Sequence, residues 1–267
     1  MKKSVFLFAL LTLVMFTSCS EDEPVNKQTV NSTFNCRAVD LDNGTVVFSQ
    51  SNAKIEINYN DMTIQFNTTY KDLDGISQTL NTPVMKLKAV SSSTIYAMVT
   101  TYDNYNVTNG YIDLATGMIW YDLSQSFQDG YFNAGSTAVY MTSQLLYAYA
   151  TTVVTNEAGA SFEHQQSAYL FALDSKGETC TLQISNFIPD TNGTIQAATV
   201  EYEGLNVTPT HLGYVITADE VESSYSGFYS ITDVNFTLDA ECNVINGTYK
   251  VNGHDFTVSG TLFPSAQ

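Results

Sequence analysis

The sequence predicts an all-β fold, an antiparallel β-sandwich or barrel with little helix. Three observations predict it. Apolar and polar residues alternate with period two, as in Lys54-Ile55-Glu56-Ile57-Asn58-Tyr59, which buries one face of a strand and wets the other. Five Asn-Gly pairs, at Asn43, Asn109, Asn192, Asn246 and Asn252, supply residues that tolerate the positive φ of tight hairpin turns. No long stretch keeps the 3.6-residue period of an amphipathic helix.

The chain opens with Lys2 and Lys3, followed by an apolar run from Val5 to Phe16. That run has the length of a signal peptide and falls short of the roughly 20 residues that span a bilayer. It ends in Phe16-Thr17-Ser18-Cys19, which resembles the lipobox of bacterial lipoproteins, with Phe16 in place of the more usual Leu. The resemblance implies cleavage before Cys19 and acylation of its thiol, so that buried acyl chains hold the protein on a membrane. Ser20-Glu21-Asp22-Glu23 follow at once. They resemble the acidic export signal of Bacteroidota lipoproteins, which implies display on the outer face of the outer membrane. Both resemblances concern the first 24 residues alone and carry no implication for the fold.

Cleavage there leaves 249 of the 267 residues, enough for one large or two small domains with real cores. Losing Lys2 and Lys3 takes the net charge from −17 to −19. A surface so acidic repels phosphate, which argues against nucleic acid and anionic lipid as partners. Hydrophobic content of 44% with 14% charged residues indicates a folded chain, not a disordered one. Cys36, Cys180 and Cys242 remain after Cys19, an odd number that allows at most one disulfide within the chain. The sequence leaves the pairing open.

Residues 19–33 read as an acidic tether. From Phe34 onward the strands begin, and two β units are expected at 34–158 and 159–267, alternatively one continuous β domain. Two echoes suggest the division. Ile55-Glu56-Ile57 with Thr63-Ile64-Gln65 corresponds to Leu182-Gln183-Ile184 with Thr194-Ile195-Gln196. A second phrase recurs as Val39-Asp40-Leu41-Asp42-Asn43-Gly44, Ile112-Asp113-Leu114-Ala115-Thr116-Gly117 and Ala172-Leu173-Asp174-Ser175-Lys176-Gly177. Its middle copy, running on to Trp120, resembles the blade motif of quinoprotein-like propellers. The copies are too widely and irregularly spaced for blades, so the phrase reads as strand, polar turn with left-handed Gly, strand. Leu145 to Val154 reads as a strand from its Thr-Thr-Val-Val end. Thr248 to Val258 reads as a hairpin about Asn252-Gly253. The alternating strands, acidic surface and anchor together resemble, in style, the calycin-like barrels of such lipoproteins.

The chemistry sought in the sequence is mostly absent from it. It contains no P-loop, no Gly-x-Ser-x-Gly and no His-Glu-x-x-His. His164, His211 and His254 fall in no metal-ligand spacing, and no catalytic residue, metal or cofactor is expected. Asp40-Leu41-Asp42-Asn43-Gly44 and Asp72-Leu73-Asp74-Gly75 superficially resemble calcium loops but lack the 12-residue pattern and its closing Glu. One feature has a functional flavour. Nine of the seventeen tyrosines lie between Tyr96 and Tyr149, with the only tryptophan, Trp120, among them. Aromatic faces stack on sugar rings and apolar ligands while the phenol hydrogen-bonds. Trp120, Tyr121, Tyr102 and Tyr105 are the candidate ligand contacts, against the competing reading that strand tyrosines fill cores. The expected function is a non-catalytic, anchored binding module for glycan or another small ligand. A structural or adhesion component of an envelope assembly is the alternative, and a hydrolase with a carboxylate pair the second.

Overall fold

The computed structural model describes residues 26–90, 94–100, 105–114, 118–128, 136–192, 194–196, 199–224, 229–239 and 244–262. All seventeen elements among them are strands, paired antiparallel. The first nine are β1 (Lys27–Asp40), β2 (Val46–Asn58), β3 (Thr63–Lys71), β4 (Ser77–Asn81), β5 (Met85–Ala89), β6 (Ile95–Val99), β7 (Tyr105–Asp113), β8 (Met118–Gln128) and β9 (Ser136–Ser143). They form one sheet in the order β2-β1-β9-β8-β7-β6-β5-β3-β4, and a further β2–β3 pairing brings the sheet round on itself. β4 and β5 run end to end along β3, joined at Thr82, whose N–H donates to Phe66 O while its Oγ1 accepts from Phe66 N–H, both at 2.9 Å.

The other eight strands close a barrel in chain order: β10 (Leu145–Thr155), β11 (Ser161–Leu173), β12 (Thr179–Ser185), β13 (Val200–Pro209), β14 (Gly213–Val221), β15 (Ile231–Asp239), β16 (Val244–Val251) and β17 (His254–Leu262). β17 pairs back to β10 from Ala148↔Leu262 to Thr155↔Asp255. Full closure leaves no sheet edge to aggregate. The two sheets change over at Gln144, not at 158/159, because β10 pairs with β11 and β17 and so belongs wholly to the second.

Further expectations need correcting. The tether does not extend to residue 33, for β1 begins at Lys27 and pairs with β2 from Lys27↔Asn58 onward. Val30 and Phe34 point into the core from it. The first echo does not join equivalent elements: Thr63-Ile64-Gln65 opens β3, whereas Thr194-Ile195-Gln196 lies outside the strands, with Gln196 bridged to Phe187. Asn-Gly marks a hairpin at Asn252-Gly253, both at positive φ (51° and 79°), and a β1–β2 turn at Asn43-Gly44 with φ 75° at Gly44. Asn109-Gly110 and Asn246-Gly247 instead lie within β7 and β16. A Cβ on Gly247 would stand 2.1 Å from the Phe236 ring, so this glycine makes room for a core aromatic.

The phrases at Asp40, Asp72 and Asp174 are turns, as their chemistry predicts, while residues 115–117 of the middle copy lie outside the described residues. Asp40 Oδ1 accepts from the N–H of Asp42 (2.9 Å), and Asp72 Oδ1 from those of Asp74 (3.1 Å) and Ile76 (2.8 Å). Asp174 Oδ1 accepts from Glu178 N–H at 2.9 Å. The side chains replace missing backbone acceptors in each turn. Cys36 and Cys180 are free and buried. Burial pushes both thiols up to about 12, which keeps them protonated and inert. Cys242 lies outside the described residues.

Candidate functional site

Inside the barrel, alternation turns one row of each strand toward the axis, and those rows are aromatic. Phe171 and Phe236 meet edge to face at 5.3 Å, and Tyr249 stacks on Phe256 at 4.8 Å. Phe187 packs against Tyr229 at 5.3 Å, and both belong to or border the barrel core. Rings of this size fill an eight-stranded barrel with side chains.

The polar groups carried inward find one another. Thr152 Oγ1 lies 2.8 Å from Ser167 Oγ and 2.7 Å from the Tyr169 hydroxyl, which lies 3.2 Å from that of Tyr249. Tyr202 donates to Tyr229 O at 2.8 Å. Burial pushes the Tyr169 phenol up to about 12 and raises those of Tyr249 and Tyr202 as well. The hydroxyls are therefore neutral structural donors and acceptors.

The outer rows differ in kind. Facing solvent, β15, β16 and β17 carry Asn235 and Thr237, Asn246 and Thr248, and Thr257, Ser259 and Thr261, all exposed. Register places them side by side: Asn235↔Thr248↔Thr257 in one row, and Thr237↔Asn246↔Ser259 in the next. β10 extends the rows with Val153 and Thr151. Asn235, Thr237, Asn246, Thr248, Thr257 and Ser259 line a shallow hollow of about 290 Å³ on β15, β16 and β17. None of these side chains is charged. Yet residues 145–262 hold fourteen acidic residues and two basic ones, Lys176 and Lys250. The strip is a neutral surface on a strongly negative body.

Its two ends are distinct. At one, Lys250 Nζ lies 2.8 Å from Asp233 and 4.0 Å from Asp255. The hydrogen bond to Asp233, then the charges of both carboxylates, raise the Lys250 ammonium above its ordinary range. At the other end, Tyr149 lies opposite Thr261 and meets Tyr147 edge to face at 4.9 Å. Tyr149 is 42% exposed and Leu145, two positions before Tyr147 on the same face, is 47% exposed. Burial, then the hydrogen bond with Tyr149, raises the Tyr147 phenol, so it too stays protonated. The strip thus joins amide and hydroxyl groups to an open aromatic pair.

Of the residues expected to bind ligand, three have a described backbone, on the first sheet. Tyr102 lies outside the described residues, as do Cys19 and Ser20, Glu21, Asp22 and Glu23 of the anchor and export signal. Tyr105, Trp120 and Tyr121 sit on β7 and β8, opposite Gln125, Tyr111 and Gly110; their side chains are outside the described set. Among the described residues no group of His, Cys, Asp and Glu is placed to hold a metal ion, and no helix is long and apolar enough to cross a membrane. The sequence signal for the strip was the alternation Val234-Asn235-Phe236-Thr237-Leu238, repeated by Phe256-Thr257-Val258-Ser259, in which every outward position is neutral.

No family model matches the chain, and no curated protein matches it in sequence. Among solved structures, kievitone hydratase from Nectria haematococca aligns over 88% of this chain and 90% of its own, at 10% identity and a TM-score of 0.22. A likeness at that level carries neither fold nor activity across.

Proposed function

We propose that this protein is a lipid-anchored, outward-facing component of the outer membrane that binds an uncharged glycan without transforming it. The observation that carries the reading is the neutral strip of β15, β16, β17 and β10 ending in the Tyr147–Tyr149 pair. Sugars present hydroxyls at their rims and apolar C–H faces. Amide and hydroxyl side chains match the first and an exposed ring the second. A strip without charge repels neither, whereas the surrounding carboxylates disfavour an acidic polysaccharide. Placement on a closed barrel keeps the contacts pre-organised and the ordering entropy on binding small.

The test is thermal stabilisation of residues 25–267 by a panel of neutral and acidic oligosaccharides. A ligand at 100 times its Kd adds about 2.7 kcal/mol, a rise of several degrees. Tyr149→Ala, exposed and outside the core, is expected to abolish that rise and leave the unliganded melting temperature within about 1–2 °C. No stabilisation by any glycan overturns the reading in favour of a protein partner in the envelope. Stabilisation that survives Tyr149→Ala moves the site off the strip.

A further inference from the structure

The two units meet through a side chain that the proposed function does not use. From Phe34 to Val39 every residue of β1 is buried. Phe34 and Cys36 belong to the core of their own sheet, whereas Arg37 reaches the other unit and Asn35 the junction at Gln144. Arg37 is 0% exposed. Its Nη1 donates to Thr210 O at 2.6 Å and His211 O at 3.1 Å, in the turn between β13 and β14. Its guanidinium lies between two rings, 4.8 Å from Tyr140 of β9 and 5.2 Å from Tyr214 of β14.

Smaller contacts flank it. Asn35 Nδ2 donates to Gln144 O at 3.1 Å, and Gln50 Nε2 reaches both Asn35 Oδ1 (3.1 Å) and Leu173 O (3.4 Å). Phe48 of β2 meets Tyr214 edge-on at 6.3 Å and fills the space a Cβ on Gly177 would need.

Among the described residues, Nε and Nη2 of Arg37 meet no hydrogen-bond partner, nor does Thr142 Oγ1 on β9. A buried guanidinium so placed has given up its water and regained only part of its bonding, so an apolar side chain would serve stability better. What an apolar residue lacks is direction. A planar cation wedged between two rings, with one nitrogen on two carbonyls, permits a single relative placement of the elements it joins. We propose that Arg37 is a clasp that sets the orientation of the two units and makes them unfold as one.

Trp120, the only tryptophan of the sequence, lies on β8, so its fluorescence follows the unfolding of that strand's sheet, while far-ultraviolet circular dichroism reports both units. In the mature protein the two signals are expected to melt together. In Arg37→Met the midpoints are expected to separate by about 4 °C or more, and small-angle scattering to show a larger maximum dimension. Coincident melting with unchanged scattering overturns the proposal. Should Arg37→Met give no folded protein, Tyr214→Leu, which removes one ring and keeps the cation, is measured the same way. Separation there supports the clasp, and coincidence overturns it.

Discussion

Single side chains inside the barrel set two measurable limits. Gly247→Ala drives a methyl group to within 2.1 Å of the Phe236 ring, and overpacking of that kind costs about 1–3 kcal/mol. A lowered urea midpoint is the expected result, and an unchanged one would mean that the ring steps aside. The second limit is alkaline. Tyr169 has a folded pKa of about 12 against an ordinary 10. Because the folded value is the higher one, its contribution is complete below pH 10 and is lost as the pH rises toward 12. The shift corresponds to roughly 3 kcal/mol. Absorbance at 295 nm should therefore show buried tyrosines ionising together with loss of the circular dichroism signal between pH 10 and 12. Ionisation of all tyrosines near pH 10 with the fold intact would contradict this burial.

Strands carry the next predictions. Deleting residues 27–33 removes the pairs from Lys27↔Asn58 to Thr33↔Asn52 and withdraws Val30 from the core. It should therefore lower the first unit's stability by several kcal/mol, as burial and ladder bonds are lost together. Trp120 fluorescence melting is the check, and no change would restore the tether reading for those residues. At the other end of the chain, β17 approaches β10 so closely that a Cβ on Gly260 would lie 2.2 Å from Tyr149 O. The obstacle there is backbone, which moves less readily than a ring. Gly260→Ala is accordingly expected to destabilise more than Gly247→Ala, by about 3 kcal/mol or more. Equal effects would show that the closing seam gives way easily.

At the scale of the molecule, two sheets share one chain and, among the described residues, a single buried cation between them. Period-two alternation made the all-β fold legible, and the Asp-to-Gly phrases made several turns legible, because both depend on neighbours a few residues away. The candidate site is less so. Tyr147 and Tyr149 stood within the aromatic stretch, but the strip they border was not singled out: Asn235, Asn246 and Ser259 look like ordinary wet strand positions until closure sets them in adjacent rows. Arg37 is hidden in the sequence for a related reason. An arginine in Phe34-Asn35-Cys36-Arg37-Ala38-Val39 reads as an outward residue, and only the arrival of a second unit buries it.

Strand content, the hairpin at Asn252-Gly253, the turns at Asp40 and Asp174, and the acidity of the second unit are all legible in the order of the residues. These follow from side-chain periodicity, from left-handed backbone at glycine, and from composition. The folded chain adds that β10 pairs with β17 and that the sheets divide at Gln144. It alone aligned the neutral rows of four strands and enclosed Arg37 between Tyr140 and Tyr214. The physical reason is common to all four. Antiparallel ladders are held by backbone N–H and C=O groups, which are the same in every residue, so alternation says which side chains share a face but not which distant strand lies beside them.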